Sequence, residues 1–170
     1  MIDTSHRWIL AIACLWASAM SQAIAQDHGA HGHASQPATP SPVAISIDAA
    51  TLAALPRESI TATAHRNTLQ CEGVLLAALL GKAGALPGEP LRGAGLANYV
   101  LVSARDGYRA IYSLAELGPT LGNHKVLLVD RCDGKPLDDE DGPLRLIAPQ
   151  ESRPARWVRQ VQSITMVAAP

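Results

Sequence analysis

The chain has 170 residues, 48% of them apolar and 17% charged, with a formal net charge of -1 at neutral pH. That balance gives no basic excess for nucleic acid and no acidic bias for disorder, and the length suits one hydrophobic core of ordinary size. Phenylalanine is absent, so Leu, Val, Ile and Ala have to fill that core.

The N-terminus is basic, at His6 and Arg7, and an apolar run from Trp8 to Met20 follows. At about 13 residues, that run is too short for a hydrocarbon core of about 30 Å. Ala23-Ile24-Ala25 fits a small-x-small cleavage site ahead of Gln26. Residues 1–25 are therefore expected to be a secretory signal peptide, and the mature protein to be periplasmic or secreted without a membrane span. Residues 26–42 carry His, Pro, Ser and Gly and no large apolar residue until the domain begins, the composition of a disordered linker. His28, His31 and His33 lie in it at a spacing that suits Cu²⁺, Ni²⁺ or Zn²⁺, or they are incidental residues of a polar leader.

From Val43 the pattern becomes periodic. Val43–Ile47 reads as a strand, and Asp48 is placed to cap a short helix that Pro56 ends. Ser59–Ala64 and Thr68–Glu72 read as strands around a turn at His65-Arg66-Asn67. Gly73 is expected to open a buried helix, VLLAALLGKA, with Gly84 as its C-cap. A Gly/Pro loop covers 85–96. Asn98–Ala104 and Tyr108–Tyr112 form a hairpin around Asp106-Gly107, and Ser113 with Glu116 makes a capping box. Lys125–Arg131 is a strand with a buried run, followed by a turn over Asp133–Pro136 and an acidic loop over Asp138–Asp141. Gly142-Pro143 opens the strand LRLIA, Ser152–Val158 is a short basic helix or turn, and Val161–Val167 is the last strand. Strands outnumber helices and hairpins dominate, which predicts an α+β fold with a mixed, largely antiparallel sheet.

Nucleophile elbows, P-loops, zinc helices and Cys-x-x-Cys pairs are absent. Cys71 and Cys132 survive signal removal, either as a disulfide suited to an oxidising compartment or as two separate buried thiols. Arg153, Arg156 and Arg159 recur every three residues, with Arg145 on the preceding strand. A helical turn would converge their guanidiniums on a phosphate or carboxylate. The other reading pairs them with neighbouring acids, Glu151 or the 138–141 loop.

In order along the chain, EGVLLAALLGKAG, ANYVLVSARDGYRAIYSLAEL, KVLLVDRCDGKPLDDEDGPLRLIAP and RPARWVRQVQSITM resemble the oxidoreductase molybdopterin-binding domain of the sulfite oxidase superfamily. The resemblance covers residues 43–168. It implies an α+β fold, a molybdenum pterin cofactor, and cofactor-phosphate contacts at Arg156 and Arg159, with Arg153 and Arg145 beside them. It also implies a molybdenum-binding cysteine at the end of the strand SITATAHRN, where this chain has His65 or Arg66; Cys71, several residues later, is the nearest thiol. Family enzymes exported with the cofactor already loaded carry a twin-arginine leader, and this leader has Arg7 alone. The expectation is an exported domain without a catalytic molybdenum centre or resident cofactor, binding a small anionic ligand or a partner protein. The alternatives are a genuine molybdopterin-dependent oxidoreductase with a redox partner, Cys71 reaching the metal, and a metal-handling protein using the His segment.

Overall fold

The computed structural model describes residues 41–169. The leader, the cleavage site and the three linker histidines lie outside them. The described part belongs to a compact unit over Gln36–Pro170.

Two sheets make up the fold. The first has strands β1 (Val43–Ile45), β4 (Tyr99–Ala104), β5 (Arg109–Ser113) and β9 (Val161–Val167) in the order β1-β9-β4-β5. The second has β2 (Arg57–Ala64), β3 (Asn67–Leu75), β6 (Leu127–Cys132), β7 (Lys135–Pro136) and β8 (Arg145–Ile147), with β6 between β3 on one edge and β7 and β8 on the other. Every strand pairing among the described residues is antiparallel. Helices are short: α1 (Ala49–Ala53), α2 (Leu76–Lys82) and α3 (Leu114–Leu117), with 3-10 turns at Gly93–Ala97 and Pro154–Arg156. The fold is thus α+β, at the antiparallel end of the expected sheet type.

Alternation decides which faces pack. Val100 and Val102 of β4, Tyr112 of β5, and Ile164 and Met166 of β9 turn inward from the first sheet. Ile60, Ala62 and Cys71 do so from the second, and both sets enter one core. On β6 Leu127, Leu128 and Val129 are all buried, so this strand is covered on both faces and its apolar run does not alternate. With Phe missing, the bulk comes from Leu and Ile together with Tyr112, Trp157 and Met166.

Local signals hold where side chain and backbone meet within a few residues. Asp48 accepts from Thr51 N at 2.8 Å and caps α1. Hydrogen bonds from Ser46 and Thr51 hold its carboxyl down at about 2. Ser113 and Glu116 form both bonds of the capping box on α3, at 2.8 and 3.0 Å. Gly84 takes a left-handed φ of +69 after α2, with Gly84 N bonded to Gly81 O and Ala85 N to Leu80 O, a Schellman ending. In the β4–β5 hairpin Gly107 is also left-handed, and Gly107 N bonds to Ala104 O.

The expected helix at Gly73 is corrected: β3 continues through Leu75 and α2 begins at Leu76. The run VLLAALLGKA satisfies either period, and tertiary packing decides it. A β-carbon on Gly73 would lie 2.1 Å from Leu128 O and 2.5 Å from Val129 Cα, so this glycine is where β3 meets β6 backbone to backbone. Leu76 N then bonds to Val126 O at 2.8 Å and ties the helix start to the foot of β6. The first strand stops at Ile45, two residues early, as the chain turns toward the Asp48 cap. The turn expected over Asp133–Pro136 is only Asp133-Gly134, both at positive φ, and Lys135-Pro136 already pairs with β6.

The β2–β3 hairpin closes with Ala64 opposite Asn67, leaving His65 (φ +50) and Arg66 (φ +73) as a two-residue loop. Both central residues of such a turn need positive φ, which a side chain resists by about 1–2 kcal/mol. Arg66→Gly is therefore expected to raise stability by about 1 kcal/mol, read as a higher urea midpoint with an unchanged slope.

Candidate functional site

The resemblance and the residue spacing point to three places: the tip of the β2–β3 hairpin, the thiols, and the arginines before β9. The tip is exposed. His65 and Arg66 occupy the tight loop just described, and among the described residues no hydrogen bond or ion pair joins them to the arginines. The strand end expected to carry a metal-binding thiolate instead reverses the chain directly.

The thiols are elsewhere and engaged with each other. Cys71 and Cys132 face each other in the β3–β6 register with α-carbons 4.0 Å apart and sulfurs 1.95 Å apart. Two bonds fix that register beside them: Asp133 N donates to Gln70 O at 2.7 Å, and Gln70 N donates to Asp133 Oδ1 at 3.0 Å. Cys71 is fully buried. The disulfide reading therefore describes this structure, and the alternative of two separate thiols does not.

The arginines do not converge. Pro154–Arg156 is a single 3-10 turn, too short to stack three side chains on one face. Arg156 runs toward β5 and α3. It donates to Ile111 O at 2.9 Å and to Glu116 Oε1 at 3.1 Å, and lies 2.5 Å from Glu151 Oε1. Its guanidinium also stacks on the Tyr112 ring, 4.4 Å from the centroid. Tyr112 in turn donates to Arg156 O at 2.6 Å, and Tyr108 donates to Ala155 O. Burial alone would lower the guanidinium's pKa; the Glu116 hydrogen bond and the charges of Glu116 and Glu151 outweigh it and raise it. Burial pushes the Tyr112 hydroxyl above the usual phenol range, with the Glu151 charge adding to the effect.

Arg145 and Arg159 point to the acidic loop instead. Arg145 meets Asp141 at 2.5 Å and lies over the Trp157 ring, 5.7 Å from its centroid. Arg159 meets Glu140 at 2.6 Å. Arg145 Nε is buried with no hydrogen-bond partner among the described residues. Arg153 is exposed and has no ion pair among them. The reading in which nearby acids pair with the basic segment is the one the geometry follows, with Glu116 as a partner that spacing did not suggest. Glu116 was visible in the sequence only as half of a capping box. Its Oε1 accepts from both the Ser113 amide and Arg156, and its Oε2 accepts a second bond from Arg156 at 3.3 Å.

The family resemblance implies a soft thiolate for the molybdenum and free cationic donors for the pterin phosphate. Both cysteines of the described domain lie in the disulfide, and three of the four candidate arginines already carry carboxylates. Among the described residues no cluster of three or more His, Cys, Asp or Glu is placed to hold a metal ion, and no helix is long and apolar enough to cross a membrane. These residues do not fit the cofactor in the arrangement seen.

The fold and order of segments nevertheless carry a family signature. The family model described as the oxidoreductase molybdopterin binding domain matches residues 44–170. No individual curated protein matches the chain. A match over that span covers nearly all of the two-sheet fold, and the chain belongs to the oxidoreductase molybdopterin-binding domain family.

Proposed function

We propose that this protein is an exported member of its family that keeps the fold, carries no catalytic molybdenum centre, and acts by binding a small ligand or a partner protein. The observation that carries this reading is the Cys71–Cys132 disulfide, which removes both thiolates of the domain from metal chemistry. The exposed hairpin loop at His65-Arg66 supports it, since the strand end offers no sulfur. Export is supported by the leader composition and by a disulfide, which persists in an oxidising compartment. In this reading the arginines serve the fold. Arg156 ties the 3-10 turn before β9 to β5 and α3, and Arg145 with Arg159 holds the 138–141 loop.

Elemental analysis of the protein purified from the envelope of its own host tests the proposal. Molybdenum is expected far below one atom per chain. A content near one per chain would overturn the reading in favour of a loaded oxidoreductase working with a redox partner, the alternative that family membership supports.

A further inference from the structure

Edge strands expose backbone donors and acceptors that can pair with another chain, and folds usually blunt them. The edges of this fold are treated unequally. β1 and β8 have three residues each, and β7 has two, one of them Pro136. On β5 the Ile111 carbonyl accepts from Arg156, and the Ser113 amide donates to Glu116. β2 has none of these devices. It ends the second sheet, runs eight residues from Arg57 to Ala64, and pairs with β3 along its whole length without a bulge. No proline interrupts it, and its charges, Arg57 and Glu58, lie at one end.

The register fixes which groups are free. Ala64 and Asn67 flank a two-residue loop and so form a hydrogen-bonded pair. Antiparallel pairs alternate from there, so Ala64, Ala62, Ile60 and Glu58 spend their backbone groups on β3. Thr63, Thr61, Ser59 and Arg57 turn theirs outward, and all four residues are exposed. Among the described residues no strand or loop backbone meets them there.

We propose that this edge joins a second copy of the chain, β2 to β2 and antiparallel about a two-fold axis, so that two sheets become one. Each copy has one such edge, and pairing therefore closes at two. Charge selects the register. The outward groups sit on alternate residues, so the two-fold registers that pair them across the middle of the strand place Ile60, Thr61 or Ala62 on the axis. With Ile60 there, no charged residue faces another. With Thr61 there, Arg57 faces His65 of the second copy. With Ala62 there, Glu58 faces Arg66 of the second copy, twice by symmetry, and Thr61 pairs with Thr63. Glu58 Oε1 is not used by the Lys125 contact, and Arg66 has no ion pair among the described residues. The inference is independent of the metal reading, since molar mass and molybdenum content are measured separately.

Sedimentation equilibrium of the same envelope-purified protein, disulfide intact, tests the edge. Molar mass is expected to rise with concentration from one chain to two, and no further. Thr61→Pro replaces an outward amide with a ring, which an edge strand tolerates. It is expected to abolish the dimer while the melting temperature stays close to the parent's. Glu58→Arg and Arg66→Glu are each expected to weaken association about tenfold, because symmetry enters each change twice. The double variant, with the charges exchanged, is expected to recover it. A chain that stays monomeric up to millimolar concentration would overturn the proposal and leave the edge to an extended segment of another protein. A dimer that Thr61→Pro leaves intact would overturn it too, by assigning the contact to another surface. No recovery in the double variant would overturn the Ala62 register.

Discussion

Reducing the Cys71–Cys132 disulfide is expected to cost about 4 kcal/mol of folding stability. The bond joins residues 61 apart in sequence, and the entropy of closing a loop of that length in the unfolded chain sets the figure. Ordinary domains are stable by about 5–15 kcal/mol, so the reduced form would sit close to the edge of folding. The bond links β3 to β6, the two central strands of the second sheet, so its loss acts on the unfolded chain and on the pairing that organises the sheet. Guanidinium unfolding with and without reductant measures this, and Cys71→Ala with Cys132→Ala should reproduce the reduced curve. Alanine is the better replacement because Cys71 is fully buried, where a serine hydroxyl would lack a partner. An unfolding midpoint indifferent to reductant would refute the estimate.

Gly73→Ala is also expected to be strongly destabilising, with a loss of about 3 kcal/mol or more. The added methyl would meet Leu128 O at 2.1 Å, Val129 Cα at 2.5 Å and Leu128 C at 2.7 Å. All three are backbone atoms of β6, so no rotamer change relieves the contact and the strands must separate. The register already shifts between Glu72 and Gly73, where β3 passes a bulge, and Cys71 lies two residues before the glycine. Separation here should therefore also misalign the two thiols. The variant is expected to yield little soluble protein, and what folds should show free thiols on titration in denaturant. A variant with normal yield, a fully formed disulfide and an unfolding midpoint near the parent's would contradict this account of Gly73.

The two effects share one cause. The β3–β6 seam is where this chain places the sulfur that the family resemblance expects at the hairpin tip. A thiol at the tip of the β2–β3 hairpin would be exposed and free; a thiol at Cys71 is buried opposite a second one. A few residues of displacement along the strand change the sulfur from a candidate ligand into a cross-link. For this reason metal content and disulfide state are the two measurements that bear most directly on the proposed function.

Much of this protein was determined by residues close together in the chain. Asp48, the Ser113–Glu116 box and Gly84 make caps from partners within five residues, so their geometry follows from local spacing alone. Asp106-Gly107 and Asp133-Gly134 turn the chain for the same reason, since their backbone preference needs no distant neighbour. The ordered set of such signals, together with strand alternation, also sufficed for the α+β class and the family. What only the tertiary structure decided involves residues far apart. Gly73 is a strand residue because β6, more than 50 positions later, comes too close for a side chain. Cys71 finds Cys132 because two strands set one register, and spacing could not give their separation. Arg156, regular in sequence with Arg153 and Arg159, turns away from both because its partners, the Ile111 carbonyl on the edge strand β5 and Glu116 on α3, lie elsewhere in the fold. Caps and turns depend on neighbours along the chain. Close approaches, cross-links and ion pairs depend on neighbours in space, and those exist only once the two sheets have closed on one core.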